Sequence, residues 1–404
     1  MRIVSALMVI AVVAGCGSLP RTPVPVDHML DAQIPGMPGI RSFGMKHSPA
    51  FQANLVQSIQ AEREDVYCTM PDGTPGYCVL ALSGGGATGA FGAGFLNGWS
   101  ASGSRPPFKL VTGISTGALI APFAFLGPDY DPQLKEAFTT IESENIFIFR
   151  GLLMALASDS FAKTAPLADL IERYIDKEML QAVAAAHAAG RRLFVGTTNL
   201  DAQRFLIWNM GAIAASEHSN ALKLFRDVVL ASASIPAVFP PVMIEVEVDG
   251  HQYDEMHADG GTVTQVFFYG NVVDFKAARE SAKAAGSPTA ATGGRVYVIR
   301  NAQVRPEREQ VERSLVSITP RTLSTMIKAM AFSDLNRIYG KSWARGIDFN
   351  YVAVPDDFVW QGEEEFDRAE MNRLYEIGYR LGKSGDAWSK TPPGFNLADW
   401  PSTR

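Results

Sequence analysis

The chain has 404 residues, enough for one large domain or two modest ones. Hydrophobic residues make up 47% and charged residues 19%, which speaks against a disordered chain. A formal net charge of −6 without any basic block speaks against nucleic acid as a partner and offers anionic lipid little attraction, so membrane contact must come from apolar surface or a covalent anchor.

In chain order, Arg2 precedes an apolar run over residues 3–13, broken only by Ser5. The run is too short for a bilayer core, which needs about 20 residues, and has the length of a signal-peptide core. Val13-Ala14-Gly15-Cys16 then resembles the lipobox of bacterial lipoproteins. That resemblance implies removal of residues 1–15, a lipid on Cys16 and export. Gly17, rather than Asp, follows, and by the same resemblance this favours the periplasmic face of the outer membrane. Residues 16–50 hold Pro20, Pro23, Pro25, Pro35, Pro38 and Pro49, which forbid a continuous helix. This stretch is expected to be a linker spacing the domain from the membrane. The folded domain is expected over 51–404, opening with a short helix to about residue 64. In an oxidising compartment Cys68 and Cys78 are expected to pair, because Pro71, Gly73, Pro75 and Gly76 let the chain turn back between them. The alternative is two free thiols.

From Tyr77 onward short apolar runs alternate with helical patterns. Strands are expected at 78–82, 110–112, 193–198, 204–210, 295–300 and 350–354. Helices are expected at 89–99, at 118–126 with a kink at Pro122, from Pro166, at 221–233 and at 367–381. The alternation predicts an α/β fold with a mostly parallel sheet.

Two glycine-rich turns carry the chemistry. Ser83-Gly84-Gly85-Gly86-Ala87-Thr88-Gly89 follows a strand, and consecutive glycines let backbone N–H groups converge on a phosphate or an oxyanion. A dinucleotide site would need an acid about 20 residues on, and residues 90–128 contain neither Asp nor Glu. A phosphate-binding P-loop fails for want of Gly-Lys-Ser/Thr. Gly113-Ile114-Ser115-Thr116-Gly117 is G-x-S-x-G between a strand and a buried helix, the context of a nucleophile elbow. Ser115 is therefore the candidate nucleophile. Its base is either a histidine or a carboxylate. The 6 histidines include none beyond position 257, so only His251 and His257 fit the order Ser, acid, His. The other candidate is Asp259, followed by Gly260 and Gly261, although Asp-Gly also marks a simple hairpin turn.

Gly84-Gly85-Gly86-x-x-Gly89, Gly113-x-Ser115-x-Gly117 and Asp259-Gly260-Gly261, in that order, resemble the motifs of the patatin-like phospholipase family. The segment from Ala231 to Pro241 and the late helix 371–378 are similar too, and the motifs span about 77–265. The resemblance implies a three-layer α/β/α patatin-like fold with a mostly parallel central sheet. It implies lipid acyl-ester hydrolysis of the phospholipase A or lysophospholipase kind by a Ser115–Asp259 dyad. Gly84, Gly85 and Gly86 would supply the oxyanion donors, without metal or cofactor, and no pH limb is then expected near the histidine value of about 6.5. Two departures stand out: Ser83 where plant members carry Asp, and Thr88 where many members carry Arg or Lys. The second weakens a phospholipid assignment relative to a general lipid esterase. An acyltransferase or thioesterase on the same site and a non-catalytic lipid-binding lipoprotein are the alternatives.

Overall fold

The computed structural model describes residues 19–63, 66–146, 148–149, 160, 162–268, 272–286, 291 and 293–395. The expected signal peptide and Cys16 lie outside the described residues. The strands are β1 (Arg41–Phe43), β2 (Cys68–Thr69), β3 (Pro75–Leu82), β4 (Leu110–Gly113), β5 (Ile148–Phe149), β6 (Ala162–Lys163), β7 (Arg192–Asn199), β8 (Arg204–Asn209), β9 (Val242–Val248), β10 (His251–Asp259), β11 (Gly293–Arg300) and β12 (Asp348–Ala353). The helices are α1 (Pro49–Gln60), α2 (Gly89–Ala101), α3 (Thr116–Leu126), α4 (Asp131–Thr139), α5 (Ser143–Ile146), α6 (Ala165–Tyr174), α7 (Lys177–Ala188), α8 (Met210–Ala214), α9 (Ala221–Ser232), α10 (Phe275–Ala284), α11 (Leu315–Ala344) and α12 (Arg368–Ser384).

One sheet runs in the order β1-β8-β7-β4-β3-β11-β12. Its centre, β7-β4-β3-β11-β12, is parallel throughout. The margins are antiparallel: β8 and β10 flank β7, and β9 closes a hairpin on β10. A parallel sheet needs cover on both faces, and its strands are apolar on both sides. Alternate residues accordingly divide between two cores. Leu80, Leu82, Val111, Val195 and Ile299 pack with α2, α3, α9 and α12. Leu110, Ile114 and Phe194 meet α1 and α10, while Ala81, Val296 and Val298 meet α11. The result is the α/β fold that the alternation of strands and helices predicts, in the three-layer α/β/α arrangement that the resemblance implies.

The glycine-rich composition of α2 has a packing reason. This helix is buried from Gly89 to Trp99 and crosses α12 at backbone contact. A Cβ on Gly94 would stand 2.0 Å from the Tyr375 carbonyl oxygen, and one on Gly378 would stand 2.2 Å from that of Phe91. Pro122 lies inside α3, which continues through it. At its N-terminal end β3 is tied to β2 by the Cys68–Cys78 disulfide. Closing so short a loop contributes about 2–3 kcal/mol.

The proline-rich stretch differs from the spacer expected of it. From Leu19 onward the described chain is laid on the domain: Val24, Ala32, Ile34, Met37 and Ile40 are buried, and β1 pairs with β8. Prolines exclude a helix there, but not an extended course that buries side chains between turns. Arg21 bonds the carboxylates of Asp201 at 2.7 Å and Asp254 at 2.9 Å. Arg41, on β1, forms a buried ion pair with Glu255 of β10 and lies over the Trp208 ring.

That buried pair yields a prediction. Arg41→Met leaves the buried Glu255 without its cation, held only by His257, and is expected to cost about 3–5 kcal/mol in denaturant unfolding. Arg41→Met with Glu255→Met should recover most of that loss; a double variant no better than the single one contradicts the assignment.

Candidate active site

The turn between β4 and α3 carries Ser115 at φ 55 and ψ −128, a conformation that non-glycine residues seldom adopt. Such strain costs on the order of 1–3 kcal/mol and persists only where the surroundings enforce it. Here they do. Gly117 is pressed against the end of β3, where a Cβ would stand 2.5 Å from the Leu82 carbonyl oxygen. The Ser115 N–H donates to the Ser232 hydroxyl at 3.0 Å, and that hydroxyl donates to the Gly196 carbonyl at 2.7 Å. Ser115 thus sits at the N-terminal end of α3, where the helix dipole favours developing negative charge.

Asp259 ends β10 and is 4% exposed. Its N–H donates to the Ser234 carbonyl at 2.8 Å, and its carbonyl accepts from the Thr198 hydroxyl at 2.9 Å. Its side chain accepts from the Gly261 N–H at 2.6 Å and lies beside the Ser115 hydroxyl. Burial pushes the carboxyl up to about 7, against the lowering effect of that hydroxyl and that amide. Gly260 allows the turn after Asp259 to lie flat on β7, where a Cβ would be 2.5 Å from the Gly196 carbonyl oxygen.

The histidine candidates lie elsewhere. His251 is exposed at the far end of β10. His257 is fully buried, with Nε2 3.0 Å from Glu255 and Nδ1 3.0 Å from the Thr197 hydroxyl. Burial lowers its pKa despite Glu255. Both ring nitrogens are engaged, so this imidazole belongs to the Arg41–Glu255 cluster.

The glycine loop follows β3 and faces the elbow. A Cβ on Gly84 would lie 3.1 Å from that of Ser115. One expectation needs correcting. The Gly84 N–H donates to the Gln265 carbonyl at 3.2 Å, so it is occupied. Gly85 and Gly86 keep N–H groups without an acceptor among the described residues, and Gly86, at φ 57, lines one pocket with Ser115. Gly89 starts α2 and Gly113 ends β4. Thr88 turns its hydroxyl back onto the Gly85 and Asn301 carbonyls, each at 2.6 Å, and presents no cation. Glu365 stands over Gly86, and desolvation raises its pKa, which favours the neutral carboxyl there.

The pocket that opens at Ser115 is apolar: Leu119, Phe123, Phe138, Ile171, Ile235 and Phe239 form much of its wall. Among the described residues no group of three or more His, Cys, Asp or Glu side chains is placed to hold a metal ion. Sequence reasoning assigned no role to Ser232 or Ser234. Both lie in Ala231-Ser232-Ala233-Ser234-Ile235-Pro236, and two fully buried serines there fix the backbones of Ser115 and Asp259.

The carboxyl at about 7 replaces the expectation of a profile without a limb near neutrality. A base must be unprotonated to accept a proton, so kcat/KM should fall tenfold per pH unit below about 7 and level off above it. Stability moves the other way. The folded state holds this proton more tightly than the unfolded chain, so the contribution is full at low pH and is lost as pH rises through about 7. A kcat/KM profile flat from pH 5 to 8 contradicts Asp259 as the group that titrates.

Residues 80–270 match the family model described as Patatin-like phospholipase. Among solved structures the chain is similar to that of VipD from Legionella pneumophila, at 11% identity and a TM-score of 0.35, over 80% of this chain and 70% of that one. No curated protein matches the chain.

Proposed function

We propose that this chain, whose residues 80–270 belong to the patatin-like phospholipase family, is a lipid acyl-ester hydrolase worked by Ser115 and Asp259 without histidine. The family supports lipid acyl hydrolysis. The observation that carries the finer reading is the placement of the Ser115 hydroxyl beside the buried Asp259 carboxyl, with both ring nitrogens of His257 engaged elsewhere.

Ser115 Oγ attacks the acyl carbonyl carbon while its proton passes to Asp259. The carbonyl oxygen becomes an oxyanion and accepts from the Gly85 and Gly86 N–H groups. Collapse expels the alcohol, which takes the proton from Asp259. Water then gives a proton to Asp259 and attacks the acyl-serine; collapse breaks the bond to Ser115 Oγ, which takes that proton back from Asp259, and the free acid leaves. The acyl chain lies in the apolar pocket, which fits fatty chains better than polar acyl groups. With Thr88 turned inward, this loop supplies no cation for a phosphate head group, so the reading is a lipid esterase of wide head-group tolerance.

The site of action in this reading is the periplasmic face of the outer membrane, reached through a lipid on Cys16. The lipobox-like segment and the Cys68–Cys78 disulfide, which suits an oxidising compartment, support it. Leu315, Val316, Leu323 and Met326 of α11 leave apolar surface exposed and would add contact with lipid.

Three variants test the dyad on a chromogenic ester such as 4-nitrophenyl hexanoate, each first shown to be folded. Ser115→Ala should abolish turnover, and Asp259→Asn should lower kcat by roughly 10²–10⁴. His257→Ala should keep turnover and lose only about 1–3 kcal/mol of stability from the partners it strands. A collapse in His257→Ala with Asp259→Asn largely active overturns the reading. For the anchor, Cys16→Ala is expected to move the protein from the membrane pellet to soluble fractions or to block its maturation; a variant that stays wholly with membranes refutes the lipid.

A further inference from the structure

The strand order reverses direction at one place in the parallel sheet. From β3 the chain builds outward through β4 to β7, whereas β11 and β12 are added on the other side of β3. Connections from β3 and β11 therefore leave toward opposite faces, and their C-terminal ends lie side by side at the switch point. The glycine loop leaves from β3 and packs against Asn301. From β11 comes Arg300, 1% exposed.

A single nitrogen of Arg300, Nη1, donates to the Gly84 carbonyl at 3.1 Å, the Ser83 hydroxyl at 3.2 Å and the Gln265 side-chain oxygen at 3.2 Å. All three acceptors are neutral. Nε of the same side chain is buried without a hydrogen-bond partner. Burial lowers its pKa only to about 10, so it remains a cation at neutral pH. A buried cation whose hydrogen bonds all go to neutral groups is costly, and neutral side chains could bridge the same acceptors.

The position of the charge suggests its use. The Gly84 carbonyl and the Gly85 N–H belong to one peptide unit. A cation hydrogen-bonded to the oxygen withdraws electron density from that unit and makes its N–H a stronger donor. Gly84 also packs against Ser115. We propose that Arg300 is an electrostatic positioning residue of the esterase reaction: through the Gly84–Gly85 peptide its guanidinium strengthens the Gly85 N–H for the oxyanion formed at Ser115. The proposal rests on the Ser115 esterase reading. It supplies, from β11, positive charge near a glycine loop that carries none of its own, since Thr88 is neutral and turned away.

A merely structural clamp makes different predictions. The comparison uses the full chain and 4-nitrophenyl hexanoate. Arg300→Gln keeps a donor and loses the charge; Arg300→Lys keeps the charge. Arg300→Gln is expected to lower kcat roughly tenfold to hundredfold, less than deletion of an oxyanion donor, with KM changed less than threefold. Arg300→Lys should restore most of that kcat. A folded Arg300→Gln protein with kcat within twofold of the parent overturns the proposal, as does an equal loss in both variants.

Ser83 gives a second test that leaves Arg300 in place, for use where the Arg300 variants do not fold. Ser83→Asp sets a carboxylate beside the guanidinium, and Ser83→Asn sets an uncharged side chain of the same shape there. A clamp would be tightened by the new ion pair. A charge working through the Gly84–Gly85 peptide would be neutralised, so kcat of Ser83→Asp should fall at least fivefold below that of Ser83→Asn at similar KM. Equal kcat in the two refutes the proposal. An active Ser115→Ala protein would instead sink the esterase reading itself, whereas an inactive Ser115→Ala beside an undiminished Arg300→Gln sinks this inference alone.

Discussion

The strained backbone of Ser115 is the constraint around which the remaining structure is arranged. A serine at φ 55 has its hydroxyl thrust clear of the turn, but the turn holds only if its neighbours leave no other course. Three elements do so. The end of β3 presses on Gly117, α3 begins immediately after the serine, and Ser232 takes up its N–H. Parallel pairing of β3 with β4 then has a second effect. It sets the glycine loop and the elbow at the same ends of adjacent strands, so that donor loop and nucleophile face each other without any long-range search.

Asp259 meets Ser115 for a different reason, and its chemistry comes from burial. Two acids on β10 show what decides it. Glu255 and Asp259 are both almost completely buried, and in each the largest single effect is desolvation, which raises the pKa. At Glu255 the hydrogen bond from His257 and the charge of Arg41 together outweigh it, and the group falls to about 2. At Asp259 only a hydroxyl and an amide oppose it, and the group rises to about 7. One acid is thereby fixed as a permanent anion that anchors β1 to the sheet. The other has a pKa suited to accepting and returning a proton at neutral pH, the task a histidine performs in serine hydrolases that use one.

What was legible in the sequence follows the range of the forces involved. The central strands, the elbow, the glycine loop and the turn after Asp259 are written in contiguous residues, because steric demands on a tight turn are local. The β9–β10 hairpin went unread although Asp249-Gly250, both at positive φ, is the usual signal for such a turn. The N-terminal stretch was misjudged because its prolines report what the backbone cannot form, whereas its placement depends on Arg21, Val24 and Arg41 meeting residues more than 150 positions away. Arg300 was invisible for the same reason: nothing near it in sequence hints that β11 lies beside the glycine loop. The occupied N–H of Gly84 is likewise a tertiary fact, set by Gln265.

The correction at the N-terminus bears on how the proposed lipid anchor would work. A flexible spacer of more than thirty residues would let the domain roam and turn freely above a membrane. Instead Arg21 is held by Asp201 and Asp254, five residues beyond Cys16. Five residues span at most about 18 Å even when fully extended. The surface around Arg21 must then stay within that distance of the lipid. Asp254 and Asp259 lie on the same strand, again five residues apart, so the active site is about 17 Å from that clamp along β10. In the proposed anchored form, a tether this short would hold both the clamp and Asp259 within some 35 Å of the bilayer surface, a reach at which lipid could pass to the pocket with little diffusion of the protein itself. With the proposed lipid on Cys16, the ion pairs of Arg21 would therefore do more than stabilise the edge of the fold: they would limit how far the site can stand from the anchor.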